Sequence, residues 1–132
     1  MKLNIGCGFR KKPGYLNIDN FEECEPDLLM DLEKTPWDIE TNSVDEIVAF
    51  HVLERLGRNN DVFFAVIKEL YRVLKPRGML KLAVPHPFSD AFHADPTRVR
   101  SFTIMTFRML NKDQNRLWQR TNANFTMLAM ML

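Results

Sequence analysis

The sequence is poor in cross-links, in net charge and in long apolar runs. It carries two cysteines, Cys7 and Cys24, too few for a disulfide framework in a domain of this size. Cys7 lies between two glycines at the end of a strand-like run and reads as a small buried side chain. Net charge is +1, so no global field recruits nucleic acid or a membrane surface. The basic residues gather only locally, in Arg10-Lys11-Lys12 and in Arg98 with Arg100. The N-terminal MKLNIGCG enters a strand-like run at once and lacks the apolar core of a signal peptide. The apolar stretch from Phe125 to Leu132 is far too short to cross a bilayer. Repeats and low-complexity segments are absent as well. The expectation is a cytoplasmic domain with neither a nucleic-acid nor a membrane partner.

What the chain does have is a core. Its 132 residues are 45% hydrophobic and 27% charged, which suits a single domain over 1–132. Lys2 to Ile5 reads as a strand closed by Gly6, and Tyr15 to Asp19 as a second. Asp27 to Asp31 is a short apolar run between acids and a candidate third. Ile47 to Phe50 is a buried-strand signature behind a turn. From Asp61, the residues Val62, Phe63, Val66, Ile67, Leu70, Val73 and Leu74 recur at three and four, the spacing of one helix face. Lys68, Glu69 and Arg72 lie mostly off that stripe. Asn59, Asn60 or Asp61 can cap the start, and Pro76 with Gly78 stops the helix. Met79 to Val84 is the next strand. This strand, helix, strand order implies a parallel pair with a right-handed crossover. Asp95-Pro96-Thr97 resembles a helix start, Thr103 to Leu110 a short helix and Lys112 to Arg120 another. Asn124 to Leu132 is ambiguous between strand and helix.

In parallel α/β sheets, ligands bind outside the carboxyl ends of the strands. Gly6, Cys7 and Gly8 follow the first strand, Asp19 the second, Asp31 the third, His51 and Val52 the fourth, Pro85 and His86 the fifth. Glycines let backbone N–H groups approach a ligand closely. A carboxylate after the second strand can accept from both hydroxyls of a ribose. A second acid can accept from an exocyclic amine. Together these residues describe a pocket for a nucleoside. Each also has a plain reading: a glycine turn, a loop acid at Asp19, a helix cap at Asp31, a helix start at His51. Asp45 reads as a structural turn residue.

Four segments, in order, resemble the class I S-adenosylmethionine (SAM)-dependent methyltransferases in a type 11-like form. They are LNIGCG, NID ending at Asp19, MDLEKTPWDIETNSVDEIVAFHVLERL and ELYRVLKPRGMLKLAVP. The resemblance covers Lys2 to Val84. It implies a Rossmann-like, mostly parallel sheet of five to six strands, with SAM as cofactor. Gly6, Cys7 and Gly8 would line its methionine portion and Asp19 would hold its ribose. Asp31 with Leu32 would sit by the adenine, and His51 would lie near the cofactor. Only Gly6 to Gly14 separate the first two strands, too few for an ordinary crossover helix. This resembles a short-loop subset without the first helix, with Pro13-Gly14 as the turn that launches the second strand. Arg10, Lys11 or Lys12 could meet the SAM carboxylate, or form a solvated charge run.

The reaction implied is methyl transfer to a small polar acceptor, such as a hydroxyl of a metabolite or sugar. Positioning does much of that work, and a hydroxyl nucleophile also gains from a general base. His86 and His93 are the candidate bases, beside a reading as polar surface. With Asp90 and Asp95 they could also gather as metal ligands, but their spacing matches no tight motif and no metal is expected. The N-P-P-Y signature of base methylation is absent after the fourth strand. The 48 residues after Val84 have room for one more strand, so the chain is expected to be a minimal or truncated form. The alternative function is a SAM- or nucleotide-binding module without turnover, or a subunit completed by a partner. The apolar tail points to a homodimer held partly by the C-terminal segment.

Overall fold

Five apolar runs assemble into one parallel sheet in the computed structural model, which describes residues 1–113 and 118–127. β1 is Lys2–Ile5, β2 Leu16–Asp19, β3 Leu28–Leu29, β4 Val44–Phe50 and β5 Leu74–Ala83. They lie in the order β3-β2-β1-β4-β5, every pair parallel. The sheet is Rossmann-like, and it has the expected lower number of strands among the described residues. The central strands are buried on both faces, as parallel strands are: Leu3, Ile5, Ile18, Ile47 and Ala49 are at 0% exposure on one, and Asn4, Asn17 and Val48 at 5%, 5% and 1% on the other.

The two faces are covered by different means. On one lies α1, Asn60–Val73, begun by the Asn59 side chain accepting from Asp61 N–H at 2.7 Å. Phe63, Val66, Ile67, Leu70 and Val73 recur at three and four and enter the core. α1 runs directly into β5. Leu74 pairs with Val44 and Met79 with Glu46, so Lys75-Pro76-Arg77-Gly78 bulge opposite Asp45. The strand thus begins at Leu74, before the bulge, rather than at Met79 as expected, and the helix ends at Val73, ahead of Pro76.

Between β1 and β2 there is no helix, as the glycines and the short length required. Asn4 and Asn17, register partners on neighbouring strands, take its place as buried polar side chains. Asn4 Nδ2 donates to Asn17 Oδ1 at 2.9 Å and to Arg10 O at 3.0 Å. Asn17 Oδ1 also accepts from Lys12 N–H at 2.8 Å. A loop cannot cover a sheet without exposing backbone groups to it, and these two amides satisfy them.

Beyond β5 the chain forms α2 (Asp90–Ala94), α3 (Ile104–Arg108) and α4 (Trp118–Thr121). The helix start expected at Asp95-Pro96-Thr97 is not one. Asp95 closes α2, and its carboxylate accepts from the Thr97 N–H and hydroxyl at 2.9 and 2.7 Å, making a turn. The same Asp-Pro-Thr string serves either end of a helix, and here Ser89 caps the start instead. Of the helix expected over Lys112 to Arg120, residues 114–117 lie outside the described ones. The described start of the tail, Asn124 to Met127, is neither strand nor helix. Phe125 N–H donates to Leu110 O at 2.8 Å and its ring meets Tyr71 at 5.3 Å, so this part lies along the turn after α3 and adds no sixth strand. The end of the tail lies outside the described residues.

Candidate functional site

The chain adds β2 and β3 to one side of β1 and β4 and β5 to the other. Strand order therefore reverses between β1 and β4, and ligands of open α/β sheets bind at such a switch point. Gly6 ends β1 there, and His51 and Val52 follow β4. Gly6 has φ +60°, and a Cβ on it would lie 2.4 Å from Val52 Cγ2. The two strand ends are thus in contact, which requires glycine for conformation and for space.

Gly8, with φ +51°, faces open space: a Cβ there would meet nothing within 4 Å. Its N–H donates to Asp19 Oδ2 at 2.8 Å, while Phe21 N–H donates to Asp19 Oδ1 at 2.9 Å. The carboxylate is fixed at the end of β2 and partly exposed. Two of its roughly four acceptor positions are used, which leaves capacity for a ligand.

Cys7 and Cys24 are buried free thiols. Cys24 donates to Phe21 O at 2.9 Å. Burial first, then neighbouring Cys24 and Asp19, push the Cys7 thiol up to about 11. It therefore stays protonated, in keeping with the reading of Cys7 as a small buried side chain. Cys7, Asp19 and Cys24 bring their donor atoms within 4.8 Å of one another, alone in this among the described residues. The set His86, Asp90, His93 and Asp95 is not so gathered.

Asp31 Oδ1 accepts from Glu33 N–H at 2.9 Å, which closes a turn; no helix follows, so Asp31 is not the helix cap weighed for it. The Leu32 side chain is in the core at 6% exposure and its carbonyl accepts from Trp37 Nε1 at 2.9 Å, so only its backbone could meet a ligand. His86 and His93 are exposed and tied into their own loop. His86 Nδ1 accepts from Phe88 N–H at 3.1 Å, and His93 Nε2 contacts Pro87 O at 3.0 Å.

His51 is different. Its φ is +58°, rare for a residue with a Cβ, and its N–H donates to Ala83 O at 2.8 Å. Its Nδ1 lies 3.9 Å from Oε1 of Glu54. Glu54 sits in a 3-10 turn, Leu53–Arg55, at 0% exposure. The segment after α2 roofs this turn: Val99 and Arg100 N–H both donate to Glu54 O, at 2.7 and 3.2 Å. The sequence pattern singled out neither Glu54 nor the Asn4–Asn17 pair. A polar residue at the centre of each of two strands was the available signal for the asparagines.

The methyltransferase domain model matches residues 10–82, more than half of the chain. A search of curated proteins found no match. Among solved structures, the chain is similar to a SAM-dependent methyltransferase from Archaeoglobus fulgidus, with 20% identity and a TM-score of 0.68. The similarity covers 82% of this chain and 57% of that one.

Proposed function

The chain belongs to the methyltransferase domain family, and from that premise we propose that it is a SAM-dependent methyltransferase acting on a small polar acceptor. The cofactor would supply an activated methyl group on a sulfonium. The observation that carries the reading is the Asp19–Gly8 bond beside the open face of Gly8: a fixed, partly exposed carboxylate next to approachable backbone, at the switch point of the sheet. Gly6, Cys7 and Gly8 would border the methionine portion. Asp19 would accept from the ribose hydroxyls, and Asp31 with the Leu32 backbone would border the adenine. His51 would stand on the β4 side. The loop cations Arg10, Lys11 and Lys12 are near enough in sequence to meet a carboxylate without a helix N-terminus.

A second reading is a binding module without turnover, or a subunit completed by another chain. It is favoured by the span of the chain, about 57% of the length of the solved relative it matches. A radiolabelled methyl-transfer assay over a panel of hydroxyl-bearing metabolites and sugars separates the two. Transfer to any member supports the enzyme, and SAM binding without transfer across the panel supports the module. Two buried free thiols favour a cytoplasmic home, and no helix of the described residues is long and apolar enough to cross a membrane. A homodimer through the C-terminal segment belongs to the same proposal. Light scattering on the full chain and on one ending at Asn122 tests it.

A further inference from the structure

Glu54 is a fully buried carboxylate, and among the described residues neither of its carboxylate oxygens has a hydrogen-bond partner. Such a group is strongly unfavourable unless a cation completes it. Two basic side chains border it: His51 Nδ1 at 3.9 Å and Arg55 Nε at 4.0 Å. Arg55 is engaged elsewhere, pairing with Asp95 at 3.2 Å and donating to Thr97 Oγ1 at 3.1 Å. His51 is not. Its imidazole is 52% exposed, and among the described residues the ring has no hydrogen-bond partner. Its backbone is held in the left-handed region, a conformation that persists only where the surroundings enforce it.

The geometry points to His51 and Glu54 as an acid–base pair, with Glu54 holding Nδ1–H and His51 Nε2 serving as the general base. The inference rests on the methyltransferase reading and names the group that removes the acceptor's proton. As the acceptor oxygen forms its bond to the methyl carbon, the sulfur–methyl bond breaks with its electron pair left on sulfur. The hydroxyl proton passes to Nε2. The imidazolium then supplies the cation that Glu54 lacks. A separation of 3.9 Å is ordinary before a ligand binds, since catalytic hydrogen bonds often tighten only in the complex. His86 and His93 are poorer candidates because a ring nitrogen of each already serves its own loop. The other charges near the pair are Arg55 on the same turn and Asp95, which pairs with Arg55 at 3.2 Å; on the covering segment Arg98 pairs with Asp95 at 3.8 Å and Arg100 donates to Gly57 O and Asn60 Oδ1. Lys12 lies 5.9 Å from the ring of neighbouring Phe50.

The test needs no acceptor. With three histidines in the chain, imidazole nitrogen NMR on the full protein resolves each ring, and single His→Gln variants assign them. The neutral His51 ring is expected as the Nδ1–H tautomer in the wild type. Glu54→Met should return it to the usual Nε2–H majority. Glu54→Gln, which keeps an acceptor but no charge, should keep the tautomer. His86 and His93 should not respond. An Nε2–H His51 in the wild type overturns the pair, whatever the variants do. So does a tautomer that ignores Glu54→Met in a folded protein. Failure of the wild type to bind SAM would instead sink the methyltransferase reading and leave the tautomer result standing.

Discussion

Glu69 and Glu54 are both almost fully buried, at 4% and 0% exposure, yet their surroundings have little in common. Glu69 lies on the buried side of α1 and is saturated. It accepts from Trp37 N–H and from Arg72 Nε, each at 2.5 Å, and Arg72 also reaches Trp37 O at 3.1 Å. Glu54 lies at the switch point, and among the described residues its carboxylate accepts no hydrogen bond. One region uses a buried charge to tie a loop to a helix. The other keeps a carboxylate without hydrogen bonds beside a histidine in a strained backbone. A fold under selection for stability alone has no use for the second arrangement, and stability lost at a site is a common counterpart of function.

Replacing the two glutamates is the sharpest way to break this comparison. Glu69→Ala strands a buried N–H and a guanidinium, and should cost about 3–5 kcal/mol in urea denaturation. Burial pushes the Glu69 carboxyl up, but Arg72 and Trp37 N–H together outweigh it and hold it below its ordinary 4.5. Its folded value is therefore depressed. The stabilisation is complete above the unfolded value and is lost as pH falls through the folded one, so the wild type should show an acid-side decline that the variant lacks.

Glu54→Met should do the opposite, leaving stability unchanged or raising it by about 1–2 kcal/mol, because an apolar residue of similar volume replaces an uncompensated charge. A loss as large as that of Glu69→Ala would mean that Glu54 is structurally paired after all. His51→Gly relieves the positive φ and should stabilise by up to about 1 kcal/mol, measured in the same denaturation. A clear loss would place His51 among the packing residues.

The smallest effect belongs at the surface. Asp45 is held down to about 2 by the N-terminal ammonium first and by Lys75 second, at 2.6 and 3.0 Å. Its folded value is depressed too, so its contribution is present above the ordinary 3.8 and fades as pH drops toward about 2. Asp45→Asn should shift the midpoint slightly, and high salt should erase the difference.

Much of this was legible in the residues. The strands follow from apolar runs bounded by turn residues, and α1 from its three-and-four spacing. That Gly6, Gly8 and Asp19 stand at the ends of β1 and β2 was readable from the strand pattern, because an apolar run followed by glycine or acid marks a strand end. Glu69 could have been read more closely: it stands three after Val66 and four before Val73, on the apolar face. Glu54 could not, because its burial depends on Val99 and Arg100 closing over it from a segment some forty-five residues later. The Asp95 turn failed for a local reason, since Asp-Pro-Thr closes a helix as readily as it opens one. His86 and His93 looked catalytic by residue type, but each is used by its own loop.

The site itself stands or falls on Asp19. Titration calorimetry of the full chain with SAM and with its demethylated product should give one site for each ligand. Asp19→Ala should weaken both by at least tenfold, as expected when a charged acceptor is lost. No binding by the wild type, or equal affinity in the variant, would contradict a cofactor held by its ribose at the end of β2.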